Sequence, residues 1–153
     1  MAAEIITKHL FTMRLETGAP QQVGQTPGGR RMVVPVLGGT FEGERLSGTV
    51  DPGGSDWITI RTDGAFALDV RLVLRAKDGA LIGLTYRGLR HGPAEVLAKL
   101  ARGETVPPSE YYFRAAMAFE TASETYDWIN RIVAIGTGER LPTGPVYTIF
   151  EVL

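Results

Sequence analysis

The chain has 153 residues, of which 44% are hydrophobic and 22% charged, and its formal net charge is −1. This suits one globular domain over residues 1–153 with a substantial core, and gives no electrostatic case for nucleic acid or an anionic membrane surface as partner. There is no cysteine, and His9 and His91 are the two histidines, so disulfides, thiolate nucleophiles, thiolate zinc sites and iron–sulfur clusters are excluded.

The N-terminal stretch MAAEIITKHLFTMRLETG lacks a long apolar segment and carries Glu4 early, unlike a secretory signal. No run approaches the roughly 18 apolar residues of a membrane-spanning helix. Together with the missing cystines, this leads to the expectation of a cytoplasmic protein.

In chain order, residues 4–16 read as a first strand, with His9, Phe11, Met13 and Leu15 alternating against Leu10, Thr12, Arg14 and Glu16. Residues 17–30, rich in Gly, Pro and Gln, read as a long mobile connection. Arg31–Leu37 reads as a strand in which Pro35 suggests an edge or bulge. Gly38–Gly43 reads as a turn, Leu46–Val50 as a short strand, and Asp51–Ser55 as another turn.

Three strands then follow: Trp57–Thr62, Ala65–Arg75 and Ala80–Gly88. Asp63-Gly64 and Asp78-Gly79 link them as tight hairpins. The middle strand alternates without a break. Phe66, Leu68, Val70, Leu72 and Leu74 fall on one face, and Asp69, Arg71 and Arg75 on the other.

PAEVLAKLAR, residues 93–102, is the one helix expected, with Pro93 in its first turn and Gly103 as its stop. Tyr111–Thr121 alternates as a strand and Tyr126–Asn130 reads as a turn or single helical turn. Arg131–Ile135 and Val146–Val152 read as two closing strands around a Gly/Pro loop. The sum is an all-β fold: a single antiparallel β-barrel of about eight to ten strands with one short helix, preferred to a sandwich because closure removes exposed edges.

Two constellations could carry chemistry. Asp69 and Arg71 share a strand face, where a guanidinium keeps the carboxylate ionised and oriented; the same spacing suits a pair facing water. On the strand 111–121, Tyr112, Arg114 and Glu120 share a face with Ala116 and Ala118, small residues that leave room for a ligand or simply make a solvent face. Trp57, Tyr86 and Trp128 carry polar handles that fit a pocket wall or a core. Asn130 could hydrogen-bond a ligand oxygen or cap a turn. The serines have no identifiable base and no G-x-S-x-G elbow is present, so a triad hydrolase is poorly supported.

In order and spacing, four segments resemble the domain-of-unknown-function 3237 (DUF3237) family: GRRMVVPVLGGTFEGERLSGTVDPGGSDW, RTDGAFALDVRLVLRAKDGALIGLTYRG, YYFRAAMAFET and YDWINRIVAIGTG. The resemblance runs from about Arg14 to Val152. It implies a compact β-barrel, often oligomeric, and little about activity. Among the matching positions, Trp57, Asp69, Arg71, Arg114, Glu120 and Asn130 lack the simple turn explanation that the glycines and Asp-Gly pairs have.

Three functions are therefore carried forward. In the first, the protein is an isomerase, cyclase or lyase acting, with no cofactor, on a small oxygenated or aromatic metabolite inside the barrel. Arg71 and Arg114 would hold a carboxylate or developing enolate, Asp69 or Glu120 would be the acid or base, and Tyr112 or Asn130 would bond a carbonyl, beside Trp57 and Tyr86. The second is a non-catalytic small-molecule binding module. The third is a structural homo-oligomer with a polar network in its barrel.

Overall fold

The computed structural model describes residues 2–153. Ten strands form one antiparallel sheet that closes on itself. In chain order they are β1 (Thr7–Thr17), β2 (Gln21–Thr26), β3 (Gly29–Glu42), β4 (Ser47–Val50), β5 (Ser55–Ile60), β6 (Phe66–Ala76), β7 (Leu81–His91), β8 (Tyr112–Thr121), β9 (Val133–Leu141) and β10 (Gly144–Val152). The one α-helix, α1, spans Ala94–Ala101 between β7 and β8.

Closure comes from β1, which pairs with β10 on one side and with β3 on the other. From β10 the sheet runs through β9, β8 and β7 to β6. β5 and β4 lie end to end between β6 and β3, with Arg30–Pro35 of β3 on β5 and Gly39–Glu42 on β4. The wall therefore has eight strand positions, and β2 hangs on β3 as an additional hairpin arm. This is the barrel with one short helix that the alternation predicts.

The Asp-Gly hairpins form as expected. Gly64 and Gly79 hold φ of +85° and +89°, and each aspartate accepts a hydrogen bond from the backbone N–H two residues on, Asp63 from Ala65 and Asp78 from Ala80. Trp57–Ile60, Phe66–Arg75 and Leu81–Gly88 are strands as read, and Tyr126–Asn130 leads into a short 3-10 turn at Asp127–Arg131.

Three Gly/Pro-rich stretches differ from their reading as connections. Gln21–Thr26 is a strand, because its backbone finds partners along β3. Gly38–Glu42 continues β3, and Gly136–Leu141 extends β9, leaving only Pro142 and Thr143 between β9 and β10. In each stretch the missing side chains weaken local β preference, yet ladder hydrogen bonds on neighbouring strands decide the outcome. The alternation of β1 also slips: a register shift between His9 and Phe11 buries both Leu10 and Phe11.

The interior is divided along the barrel axis. One end is filled by Phe11, Phe41, Leu72, Leu74, Ile82, Leu84, Phe119 and Ile149, all with 7% exposure or less. Burying each such side chain contributes roughly 1.5–3 kcal/mol. α1 adds Val96 and Leu100 to the same continuous core, which supplies the docking an eight-residue helix needs. Toward the other end the interior becomes polar.

Candidate functional site

That polar end is a cavity of ≈ 110 Å³ enclosed by residues from β1, β3, β5, β6, β7, β8, β9 and β10. Asp56, Tyr86, Arg90, Arg140 and Tyr147 meet around it, with Met32, Val34, Ile58, Leu68 and Phe113 as apolar wall and Gly18 and Pro20 at its rim. Register explains the convergence. Asp56 lies opposite Val70 and Val34, Tyr86 opposite Val70 and Met117, Arg90 opposite Phe66 and Phe113, and Tyr147 opposite Met13 and Gly138. Each polar residue thus takes a position in an otherwise apolar inward-facing row.

Asp56 is the electrostatic centre. Its Oδ1 accepts a hydrogen bond from the Asp69 N–H at 3.2 Å. Burial nevertheless pushes its carboxyl from an ordinary 3.8 up to about 7; the Asp69 N–H and the Arg90 charge pull down, and the Asp69 carboxylate pushes up. Near neutral pH the cavity therefore holds a carboxyl group that can both give and take a proton.

Arg90 is held by contacts that use none of its N–H donors. Its cationic centre lies 4.6 Å from the ring centroid of Phe66 and 5.7 Å from that of Phe113. Its buried Nε has no hydrogen-bond partner. Burial, then the nearby Arg140 charge, lower its pKa, but a guanidinium stays protonated in any protein environment.

Arg140 is tied in place by its neighbours. Its N–H donates to the Tyr111 hydroxyl at 2.8 Å, and its Nη1 donates to the Leu141 carbonyl. The aromatic wall is rigid: Tyr147 packs edge-to-face against Tyr86 at 5.1 Å and against Phe113 at 5.3 Å. Desolvation raises the pKa of both tyrosines, which remain neutral phenols. Gly138 makes room for this stack, since a Cβ there would sit 2.6 Å from the Phe113 ring.

Of the residues singled out in the sequence, Tyr86 lines this cavity, with 2% exposure. Asp69, Arg71, Arg114 and Glu120 do not. They occupy the outward rows of β6 and β8, because the apolar rows opposite them fill the barrel. The enzyme reading puts Arg71 and Arg114 as anion binders and Asp69 or Glu120 as acid or base inside the barrel; the structure places all four on its outer wall. Asp69 and Arg71, with Trp57, line a shallow outer depression, and the Asp69 carboxylate faces Arg87 at 4.0 Å. Arg114 and Tyr112 line a separate outer groove of ≈ 660 Å³ that includes Leu89, Ala116 and Ile135. Trp57 is 49% exposed beneath Arg31.

Asn130 caps a turn. Its Oδ1 accepts from the Thr121 N–H at 2.7 Å, and its Nδ2 donates to the Thr121 carbonyl and to Asp127. Asn130→Ala should cost about 1 kcal/mol and lower Tm by roughly 3 °C in a thermal melt. An unchanged Tm would remove the capping role.

The fold has counterparts in known proteins. The family model described as "Protein of unknown function (DUF3237)" matches residues 6–152. The chain belongs to the DUF3237 family. Within it, a UPF0311 protein of Rhodopseudomonas palustris is 35% identical over the whole of both chains. The crystal structure of a conserved R. palustris protein of unknown function superposes with a TM-score of 0.93 at 34% identity, covering both chains fully. A β-barrel-like protein of Acinetobacter baumannii gives 0.87 at 37% identity, covering 100% of this chain and 99% of its own. The hydroalkoxylation enzyme phnH of Penicillium herquei is 26% identical over 132 residues, 86% of this chain and 73% of its own.

For this DUF3237 chain, the sequence does contain a signal for the missed residues. Asp56 shares its face with Ile58 and Ile60, and Arg90 shares its face with Ile82, Leu84 and Tyr86. An ionisable residue inside an apolar row is the mark of a lined cavity. Arg140 carries no such mark, because Gly136 and Gly138 precede it on its face. Among the described residues there is no cluster of three or more His, Asp or Glu suited to a metal ion. No helix of the described residues is long and apolar enough to cross a membrane.

Proposed function

We propose that this protein is an acid–base enzyme that isomerises or cyclises a small oxygenated or aromatic metabolite inside the barrel, with Asp56 as the proton-transfer group. The observation that carries this reading is a carboxyl group poised near pH 7 in a desolvated cavity, next to two guanidinium groups. General acid–base catalysis works best when the catalytic pKa lies near the working pH, and binding alone does not call for that tuning.

The fungal relative's name supplies the reaction class. In a hydroalkoxylation, a hydroxyl oxygen forms a C–O bond to one alkene carbon while the other alkene carbon gains a proton. Asp56 as carboxylic acid gives that proton to carbon, and as carboxylate it takes back the proton leaving the hydroxyl, so the reaction is mass-neutral and the enzyme returns to its starting state. Arg90 and Arg140 place positive charge where an oxygen becomes electron-rich. Tyr86, Phe113 and Tyr147 give flat apolar surfaces for the carbon skeleton.

The test is ring closure of alkenyl phenols, followed as a change in chromatographic retention at constant mass. Asp56→Asn is expected to lower the rate at least 100-fold, and Arg114→Ala, on the outer wall, to leave it within twofold. The wild-type rate should fall as pH rises above about 7, where the acid form of Asp56 is lost. An Asp56→Asn enzyme that turns over at the wild-type rate sinks the proposal.

A further inference from the structure

We propose that the barrel cavity is a receptor for a single small, planar organic anion, whose charged oxygen is held by Arg90 and Arg140 while its body lies against Phe113 and Tyr147. The proposal rests on the cavity assigned above and names the class of molecule that fills it.

The charge inventory points to an anion. Two guanidinium groups and one carboxyl group line the cavity. Neither Arg90 nor Arg140 has a carboxylate within ion-pair distance among the described residues. When Asp56 is protonated, the cavity carries two positive charges and nothing to offset them. Desolvated charge without a partner is costly, and a bound anion removes that cost.

The donor geometry agrees. Arg90 is positioned by the rings of Phe66 and Phe113, which leaves its N–H groups uncommitted, and its buried Nε is an orphan. Such a donor normally has a partner in the functioning molecule. A guanidinium edge suits the two oxygens of a carboxylate or the single oxygen of an enolate or phenolate.

Size limits the body of the ligand. An engineered apolar cavity of about 150 Å³ accepts benzene, so ≈ 110 Å³ takes the anionic group with part of one ring or a short chain, and the rest of the ligand leaves past Gly18 and Pro20. A planar ring in the ligand extends the edge-to-face cluster of Tyr86, Tyr147 and Phe113.

Asp56 makes the affinity pH-dependent. The groups acting on it are the Asp69 N–H and carboxylate on β6, Arg90 and Tyr86 on β7, and Tyr147 on β10, with the Arg140 charge acting in turn on Arg90. The two tyrosines stay neutral and the arginines stay charged. Ionisation of Asp56 therefore cancels one positive charge, and anion affinity falls as pH rises.

The experiment is titration calorimetry of the full chain with benzoate and benzamide at pH 6 and pH 8, and with 4-nitrophenolate at pH 8, where that phenol is ionised. Benzoate or 4-nitrophenolate is expected to bind at least tenfold more tightly than neutral benzamide. Binding of one of them alone assigns the anion as carboxylate or as phenolate-like. Arg90→Gln should weaken anion binding at least tenfold, and Asp56→Asn should abolish the loss of benzoate affinity between pH 6 and pH 8. Arg140→Gln serves as the second variant should circular dichroism show Arg90→Gln unfolded. Equal affinity for benzoate and benzamide, or no binding by either anion, overturns the proposal. None of these probes reacts, so the result stands independently of whether Asp56 is catalytic.

Discussion

Replacing Asp56 by Asn should stabilise the protein by roughly 4 kcal/mol at pH 8 and leave it nearly unchanged at pH 4. The asparagine keeps an oxygen to accept the Asp69 N–H and mimics the protonated acid. In the wild type, the folded carboxyl titrates at about 7 and the unfolded one near 3.8. Below pH 4 both states hold the proton and the site costs nothing. Between pH 4 and 7 the unfolded state releases a proton that the folded state retains, so stability falls with rising pH. Above 7 the folded carboxyl is ionised in its cavity and the loss is complete. The exposed aspartates with lowered pKa, Asp63 and Asp127, are common to both proteins and drop out of the comparison. Urea unfolding of the two proteins at pH 4, 6 and 8 measures the difference directly; parallel stability curves would mean that Asp56 is solvated.

Gly144→Ala should be among the most damaging single methyl additions in the chain, with an expected loss of about 3 kcal/mol or more. Gly144 opens β10 immediately after the two-residue turn from β9 and has φ of +145°. A Cβ there would lie 2.0 Å from the Leu15 carbonyl oxygen. That atom belongs to the backbone of β1, and the Thr17 N–H bonds the Thr143 carbonyl beside it, so no flexible side chain can yield. The strand pair that must move, β1 with β10, closes the barrel. Equilibrium denaturation of the variant tests this, and a loss under 1 kcal/mol would show that the turn relaxes freely.

Both residues illustrate how far the chain can be read without its fold. The alternation in β6 and β8, the Asp-Gly hairpins and the Pro93-initiated helix are local patterns, and all appear where local chemistry puts them. The glycine-rich segments are harder to read. Gln21–Thr26 and Gly136–Leu141 are held in hairpins with β3 and β10, whereas Gly38–Glu42 depends on Thr12–Glu16, far away in sequence, and no turn rule anticipates that partner.

The site divides in the same way. Tyr86 was legible as an aromatic with a polar handle, and it lines the cavity. Asp69, Arg71, Arg114 and Glu120 were conspicuous because charge and alternation coincide, yet that coincidence is also what a solvent-facing row produces. Asp56 and Arg90 are marked by the apolar rows they interrupt, but each lies near the end of its strand, where a charge also suits a turn, and Arg140 follows only glycines on its face.

By itself, then, the sequence determined an all-β barrel, its family, most of its strand phases and which residues share a face, because these follow from a two-residue period and from short-range turn chemistry. Only the tertiary structure decided which face of each strand looks inward and which inward residues meet. A barrel interior is assembled from strands separated by up to the full length of the chain. Asp56 on β5, Arg90 on β7, Arg140 on β9 and Tyr147 on β10 become neighbours through closure, and burial then turns an ordinary aspartate into a group that titrates near neutrality.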